Sequence, residues 1–418
     1  MISTLISFSA LYISVFTLLL GTGFLGFFLS LRMTLQGFSA LLTGWIMAAY
    51  FLGMVLGSFF CQRLIQGVGH IRSFAAFAAI ATTTVLLHGL YADPWFWWLL
   101  RLLTGITTMG LYMVIESWLN ECTEPQFRGR VFAMYMLTLC LGVALGQLFP
   151  IVSDVHSQAP FFVVGIFFSI CLVPIAVTRT ISPKIPDVTR FNLFVLLKKA
   201  PLGMLGCLSA GLINGAFYAM GPVFGNQIGL TVSRTAGFMA VTIFGSLLFQ
   251  WPIGIISDRF NRAVVLSLLS VLAALGGMGI IMLPEIHYAL FLFLMVLYGG
   301  LIFTIYPVSV ARTHDLFETT DIVPVSSALL LSYGIGASLG PIIASGMMTL
   351  LNSPYGLFVF FSLTAGLFAL FSFYLVHMEK IKVLPVSAQV KFAPMKNSSP
   401  VASQLDPRTA VDRTDGAF

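Results

Sequence analysis

Long apolar stretches recur along the whole chain, and they constrain its fold more than any other feature. About 20 consecutive apolar residues are needed for a helix to cross the hydrocarbon core of a bilayer. The stretches lie at residues 8–30, 41–62, 73–92, 95–118, 131–152, 160–178, 202–224, 236–256, 264–283, 289–312, 325–350 and 356–378. Strand-like alternation of apolar and polar residues is absent from them, and lipid cannot satisfy an open backbone. We therefore predict an all-α membrane protein with twelve transmembrane helices.

The composition excludes a water-soluble protein. Of the 418 residues, 58% are hydrophobic and only 9% are charged. A soluble fold of this length leaves too much of its surface in contact with water to hide so many apolar side chains. A soluble enzyme and a nucleic-acid-binding protein are both excluded on this ground, and the lipid bilayer is the expected partner.

The distribution of lysine and arginine predicts the orientation of the chain. With the N-terminus in the cytoplasm, 18 of the 21 basic residues fall on cytoplasmic connections or on the tail. Only Arg32 and Arg234 then face the opposite side, and Arg101 lies within a span. Cytoplasmic loops of membrane proteins carry such an excess of positive charge. Both termini are therefore predicted to be cytoplasmic.

A polar interruption divides the twelve spans into two sets of six. Gly142 and Gly146 recur as Gly336 and Gly340 at an offset of 194 residues, which suggests an internal duplication. The last forty residues are rich in Ser, Pro, Lys and Asp and are predicted to be flexible. The predicted division is an N-terminal six-helix bundle (1–178), a cytoplasmic linker (179–201), a C-terminal six-helix bundle (202–378) and a flexible cytoplasmic tail (379–418).

Three short motifs accompany this organisation. Gly254-Ile-Ile-Ser-Asp258-Arg259-Phe-Asn261-Arg262 follows the eighth span, and Arg101-Leu-Leu-Thr-Gly105 lies in the fourth. After the second span, Gly57-Ser-Phe-Phe-Cys61-Gln-Arg63 matches the first motif, with Cys61 at the position of its acid. With these motifs, residues 8–378 resemble the major facilitator superfamily (MFS). Glu116-Ser-Trp-Leu-Asn120 and Gly69-His-Ile-Arg72 are similar to the YcaD-like group of bacterial MFS proteins.

The resemblance implies two pseudo-symmetric six-helix bundles that rock about a central site lined by the first, fourth, seventh and tenth spans. It implies a secondary active transporter, not an enzyme, that moves a small-molecule substrate across the bacterial inner membrane as a monomer. Neither a cofactor nor a metal site is expected, because nucleotide-binding and metal-ligand patterns are missing. The alternative is a transporter-like membrane sensor or scaffold that binds a ligand without turnover.

One face of the fourth span carries the strongest candidates for substrate binding and coupling. Spacings of three and four residues align Arg101, Thr108, Tyr112 and Glu116. An ionisable group at this depth costs at least about 2.5–3.5 kcal/mol on insertion scales, so it should face the bundle interior. Arg101 is interpreted as an anion contact or as a residue that biases protonation of a nearby acid. The alternative is a structural donor to carbonyls of neighbouring helices.

Glu116 has two possible roles. It lies fifteen residues beyond Arg101, which is about 22 Å along a helix and too far for a direct pair. It could take up and release a proton, and this would make protons the coupling ion. It could instead pair with Arg63 or Arg72 and close the cytoplasmic surface in one conformation.

The second half has weaker candidates. Asn214 and Tyr218 share a face of the seventh span, and Tyr298 and Tyr306 lie in the tenth. An amide in hydrocarbon seeks a partner, so Asn214 could bind substrate or join two helices. The tyrosines could equally be interior packing. The motif residues Arg63, Arg72, Asp258, Arg259 and Arg262 are predicted to form a gating loop rather than a substrate site.

Overall fold

The structure is a computed structural model that describes residues 2–177, 192–283, 287–318, 321–377, 389–395, 398–406 and 408. All regular secondary structure in these residues is helical. The helices are α1 (Ile2–Leu35), α2 (Ala40–Val68), α3 (His70–Leu90), α4 (Pro94–Cys122), α5 (Arg128–Gly146), α6 (Ala159–Ile170), α7 (Leu172–Val177), α8 (Leu193–Lys199), α9 (Pro201–Gln227), α10 (Val232–Arg259), α11 (Arg262–Ile281), α12 (Tyr288–His314), α13 (Ile322–Leu350) and α14 (Gly356–His377).

The described residues contain twelve helices that are long and apolar enough to cross a membrane. The sixth of them, Ala159–Val177, combines α6 and α7, and the short helix α8 lies outside the set. The predicted spans coincide with these helices. The predicted and observed ends differ by a few residues, because polar capping residues determine where a helix begins, and these do not coincide with the limits of an apolar stretch. Ser39, Asp93 and Thr231, for example, each accept a backbone N–H at the start of a helix. The all-α prediction with twelve spans is confirmed.

The two halves repeat the same helix pairing. In the first half, α1 packs on α5, α2 on α4, and α3 on α6; in the second, α9 packs on α13, α10 on α12, and α11 on α14. These are the equivalent pairs in chain order, which is the arrangement expected of two pseudo-symmetric six-helix bundles. Gly142 approaches Leu19 of α1, and Gly336 approaches the backbone of Leu208 in α9, as the offset in sequence suggests.

The halves meet differently at the two ends of the molecule. One end, here called the tail end, holds the last residues of α4, α10 and α12 together with residues 398–406. At the opposite end the halves touch directly, since the Ser30 hydroxyl of α1 donates to the carbonyl of Ala219 in α9. Gly44 of α2 also lies against Pro341 and Ser345 of α13. At the tail end, residues 398–406 lie against α4, α5 and α13.

The linker and the tail contain more structure than predicted. Helix α8 lies within the predicted linker, where Lys199 stacks over Phe317 at 4.1 Å from the ring centroid. Residues 389–395 and 398–406 of the predicted flexible tail lie against the helices, and Val401 and Leu405 are buried there. Composition alone could not reveal that these few apolar side chains have a surface to pack on. The rest of the predicted linker and tail lies outside the described residues.

Candidate functional site

A cavity with an empty volume of about 680 Å³ lies between the two halves. The wall comes from α1, α2, α4, α5 and α9, and therefore from both bundles. The lining residues are Thr22, Gly23, Gly26, Met47, Tyr50, Phe51, Met54, Arg101, Tyr112, Val143, Gln147, Tyr218 and Ala219.

Arg101 supplies the positive charge of this cavity. Its side chain is buried, and its guanidinium carbon lies 4.6 Å from the centroid of the Tyr50 ring. Three ion pairs occur among the described residues, and none of them includes Arg101. Its Nε also has no hydrogen-bond partner in the described part of the chain. The cation is thus held by an aromatic face and lacks a compensating acid.

Two glycines explain how Tyr50 reaches Arg101. A Cβ added to Gly105 would lie 2.0 Å from the Tyr50 carbonyl oxygen, and one added to Gly53 would lie 2.1 Å from the Leu102 carbonyl oxygen. At this distance a side chain at either position would overlap the facing carbonyl oxygen unless the helices moved apart. Arg101 lies one helical turn before Gly105, so the close contact of α2 and α4 brings the Tyr50 ring to its guanidinium.

The other predicted residues of the fourth and seventh spans have different surroundings. Tyr112 and Tyr218 line the cavity from opposite halves. The Thr108 hydroxyl is buried and donates to the Thr104 carbonyl within α4, at 2.8 Å. Asn214 is buried beside the Tyr333 hydroxyl of α13, and its Oδ1 has no hydrogen-bond partner among the described atoms. Asn214 therefore sits at a contact between two helices of the second half.

The tenth span does not contribute to this cavity as expected. Tyr298 of α12 packs against Phe358 and Phe361 of α14, with ring centroids 5.8 and 6.3 Å away. Tyr306 packs edge-on against Tyr333 at 5.0 Å. Both tyrosines are buried, which agrees with the packing alternative. Neither side chain is among those that line the cavity.

Glu116 is buried near the tail end of α4. The Tyr135 hydroxyl donates to its Oε1 at 2.6 Å, and the Ser399 hydroxyl donates to its Oε2. Arg63 and Arg72 are exposed, so the gate pair considered from the sequence is not formed in this conformation. The carboxylate instead bonds to a residue of the tail.

The gating-loop residues of the second half form a charged cluster. Arg262 is fully buried and pairs with Asp258 at 2.5 Å and with Asp315, which directly follows α12. Arg259 is exposed. Burial raises the pKa of Asp315 above its usual range, although the Arg262 guanidinium acts in the opposite direction. The cluster ties the α10–α11 connection to the end of α12.

The tail binds to the same cluster. The Phe392 amide donates to Asp258 at 2.9 Å, and the Val390 amide donates to Asp315 at 3.0 Å. The Val390 carbonyl accepts a hydrogen bond from Arg262. Backbone groups of the tail thus satisfy charges of the loop motif.

Sequence reasoning missed several residues of the site. Tyr50 and Met54 are ordinary apolar positions of the second span by pattern, and no signal in the chain points them at Arg101. Tyr135 could have been suspected as a polar group within the fifth span. Ser399 could not, because its contact with Glu116 joins residues 283 positions apart in the sequence.

Comparison with known proteins agrees with this architecture. The model of the Major Facilitator Superfamily matches residues 11–323. A protein named uncharacterized MFS-type transporter YcaD from Escherichia coli O17:K52:H18 (strain UMN026 / ExPEC) is 31% identical over 309 residues, which are 73% of this chain and 79% of that protein. Its namesake from Salmonella arizonae (strain ATCC BAA-731 / CDC346-86 / RSK2980) is 30% identical over 310 residues, with the same coverage.

Solved structures share the fold at low sequence identity. The nucleoside transporter NupG matches with a TM-score of 0.75 and 13% identity, over 90% of this chain and 100% of that one. A bacterial homologue of the human lysosomal transporter Spinster, in an inward-facing and unoccupied conformation, matches with a TM-score of 0.68 and 15% identity, over 92% and 98%. From its helices, its motifs and these relatives, the chain belongs to the Major Facilitator Superfamily of membrane transporters.

Proposed function

We propose that this protein is a secondary active transporter that moves a small, singly anionic organic solute by alternating access. The observation that carries the proposal is Arg101, a buried cation without an acidic partner among the described residues, in a cavity between the two bundles. A charge in this position is costly unless a ligand compensates it. One carboxylate on the solute would do so.

The rest of the cavity wall indicates what else the solute carries. Tyr50, Tyr112 and Tyr218 offer ring faces and hydroxyls, while Met47 and Met54 offer adaptable apolar surface. Gln147 donates to the Gly23 carbonyl at 3.2 Å, and its Oε1 has no hydrogen-bond partner among the described residues. This wall favours a solute with an aromatic or aliphatic body and a single acid. A strongly charged multivalent solute has no matching groups here.

A flux screen tests the substrate class. Purified protein in proteoliposomes is offered labelled aromatic monocarboxylates, neutral nucleosides and amphipathic cations, with and without a pH gradient. We expect saturable flux of a monocarboxylate, which Arg101→Gln reduces at least about tenfold because one charge-assisted contact is lost. Arg130→Gln removes an exposed arginine from the start of α5 and is the matched control.

Two outcomes contradict this proposal. Flux of nucleosides or cations, unchanged in Arg101→Gln, would remove the anion assignment. Saturable binding of a solute with no flux under any gradient would favour the alternative of a sensor that does not turn over.

We also propose that the transport is coupled to protons through Glu116. Glu116 is fully buried within α4 and accepts hydrogen bonds from Tyr135 and Ser399, so a proton could replace one of these donors as the halves move. In Glu116→Gln, solute-driven pH change in the vesicles should vanish while exchange of solute for solute persists. Unaltered proton movement in this variant would refute the assignment.

The proposed transport unit is a single chain. Residues 1–178 and 202–378 would move against each other as two bodies, joined by the linker 179–201, with both termini in the bacterial cytoplasm. Both walls of the cavity come from one chain, which supports a functional monomer. In this orientation the tail end faces the cytoplasm, and the direct contact of Ser30 with Ala219 closes the outer side.

A further inference from the structure

The tail is fixed to the second bundle by several separate contacts. Besides the bonds of Val390 and Phe392 to the charged cluster, Gln250 of α10 donates to the Met395 carbonyl at 3.3 Å. The Phe392 ring also occupies the space beside Gly254, where an added Cβ would lie 2.4 Å from the ring. The glycine of the loop motif thus accommodates an aromatic side chain of the tail.

The following residues cross to the first bundle. Residues Pro400–Leu405 form a 3₁₀ helix that contacts α4, α5 and α13. Ser399 donates to Glu116, and Asn120 at the end of α4 donates to Gln404 at 2.9 Å. Val401 is 1% exposed and Leu405 is fully buried. The segment therefore joins both halves at the tail end.

The charges within this segment are internally balanced. Arg408 pairs with Asp406, and its guanidinium also reaches the Met395 sulfur at 3.3 Å. Burial opposes ionisation of Asp406, but the Arg408 guanidinium outweighs it and lowers the pKa of Asp406. A segment with its own compensated ion pair can occupy a polar-lined gap without leaving a buried charge unpaired.

The segment also separates the Arg101 cavity from the tail end. Met54 of α2 lines that cavity and also a second one, with an empty volume of about 440 Å³. Ser398 and Pro400 form part of the wall of the second cavity, together with Met109 and Tyr333. A solute that leaves the Arg101 cavity past Met54 therefore meets the tail.

We infer that residues 389–395 and 398–406 are a built-in plug, which covers the tail-end entrance of the Arg101 cavity and withdraws before solute passes. The inference rests on the proposed transport function, because it assigns regulation to the same cavity. Residues 389–395 are the anchor, which binds to the charged cluster of the second bundle. Residues 398–406 are the removable portion, because they meet the first bundle through side-chain hydrogen bonds at Glu116, Tyr135 and Asn120, and no ion pair joins them to it among the described residues.

Thiol labelling tests whether the tail covers the cavity. In a chain whose five native cysteines are replaced, Met54→Cys is reacted with a charged methanethiosulfonate in lipid nanodiscs, where the reagent reaches both ends. Val401→Asp places a carboxylate at a buried position between the tail and the helices, which is costly. The tail should therefore undock, and Met54→Cys should be labelled at least about tenfold faster. Lys391→Gln changes an exposed side chain of the same tail without adding an acid beside Asp258 and Asp315, and it should leave the rate unchanged.

A second reporter distinguishes undocking from unfolding. Cys207, fully buried in α9, is retained as the single cysteine in place of Met54→Cys. Rapid labelling of Met54→Cys with slow labelling of Cys207 supports the plug. Equal rates for Met54→Cys in the parent and in Val401→Asp would overturn it.

Cross-linking gives a test that does not require a disruptive variant. Asn120→Cys and Gln404→Cys replace the two side chains that meet at 2.9 Å, again without native cysteines. A short bis-maleimide, whose spacer replaces the length that the two native side chains span, should join them in most molecules, and the joined protein should label at Met54→Cys more slowly than the unjoined one. Failure of the pair to cross-link, or an unchanged labelling rate after it forms, would refute the plug.

These measurements do not depend on a transported solute. If the flux screen fails while labelling and cross-linking succeed, the plug stands and the proposed substrate class falls. If flux is found but Val401→Asp leaves both flux and labelling unaltered, the proposed function stands and the plug falls.

Discussion

At the scale of single residues, the energetic cost of burying Arg101 supports its proposed role as an anion contact. A charged side chain within a span costs at least about 2.5–3.5 kcal/mol on insertion scales, and a desolvated cation–π contact returns about 2 kcal/mol. The Tyr50 ring therefore offsets part of this cost and not all of it. An arginine with a purely structural role would be expected to have carbonyl or carboxylate partners that compensate the rest of this cost. A ligand anion would supply the missing compensation.

This balance predicts the stability of Arg101→Met. Methionine removes the uncompensated charge and retains much of the volume, so the apparent melting temperature in detergent should stay level or rise. Binding of the monocarboxylate found in the flux screen should be lost in the same variant. Thermal unfolding followed by light scattering checks the first part. A fall of several degrees would instead assign Arg101 a structural role.

At the scale of helices, close backbone contact determines which side chains line the cavity. Helices α2 and α4 approach through Gly53 and Gly105, each of which faces a carbonyl oxygen of the other helix. Gly336 and Gly340 of α13 make the same kind of contact with α9. Because these contacts set helix rotation as well as distance, they also determine which tyrosines reach the cavity.

Substitution at one such glycine should therefore have two consequences. In Gly105→Ala the added methyl group would lie 2.0 Å from the Tyr50 carbonyl, so α2 must move away. Overpacking of this kind costs about 1–3 kcal/mol, and the melting temperature should fall together with solute binding.

Gly279→Ala in α11 is the matched control. Nothing lies within 4 Å of an added Cβ there, and alanine favours a helix over glycine by up to about 1 kcal/mol. Its melting temperature should be unchanged or slightly higher. Equal stability of Gly105→Ala and Gly279→Ala would contradict the close contact of α2 and α4.

At the scale of the whole molecule, the two ends have unlike construction. Direct contacts between the halves close the opposite end, whereas a peptide segment bridges them at the tail end. An alternating-access cycle must break the first set and form contacts where the tail now lies. In the proposed cycle, the charged cluster of Arg262, Asp258 and Asp315 would connect the tail to this movement.

The proposed orientation of the molecule rests on the distribution of its basic residues and can be tested directly. Val152, 83% exposed at the opposite end, and exposed Lys391 are each replaced by cysteine in a chain without native cysteines. An impermeant maleimide applied to spheroplasts, in which the outer membrane is opened, should label Val152→Cys and spare Lys391→Cys until the inner membrane is permeabilised. The reverse pattern would invert the proposed orientation and put the plug on the outer side.

The sequence alone determined the spans and the twofold repeat, and it singled out Arg101 and Glu116 as ionisable groups within a span. Bilayer thickness requires a minimum length of apolar residues, and a buried charge is costly wherever its helix packs. Both signals are local, so they can be read without knowing which helices are neighbours.

Only the tertiary structure decided which groups meet these residues. Tyr50 faces Arg101, Ser399 bonds to Glu116, and Tyr298 turns away from the cavity. Each of these depends on the rotation of a helix or on contact between distant segments. Lipid and protein interior are similarly apolar, so a membrane helix can be hydrophobic on all sides. The apolar pattern of its sequence is then compatible with several rotations about the helix axis. The contacts of the tail could not be predicted for a related reason, since burial of Val401 and Leu405 depends on a gap between the bundles that composition does not encode.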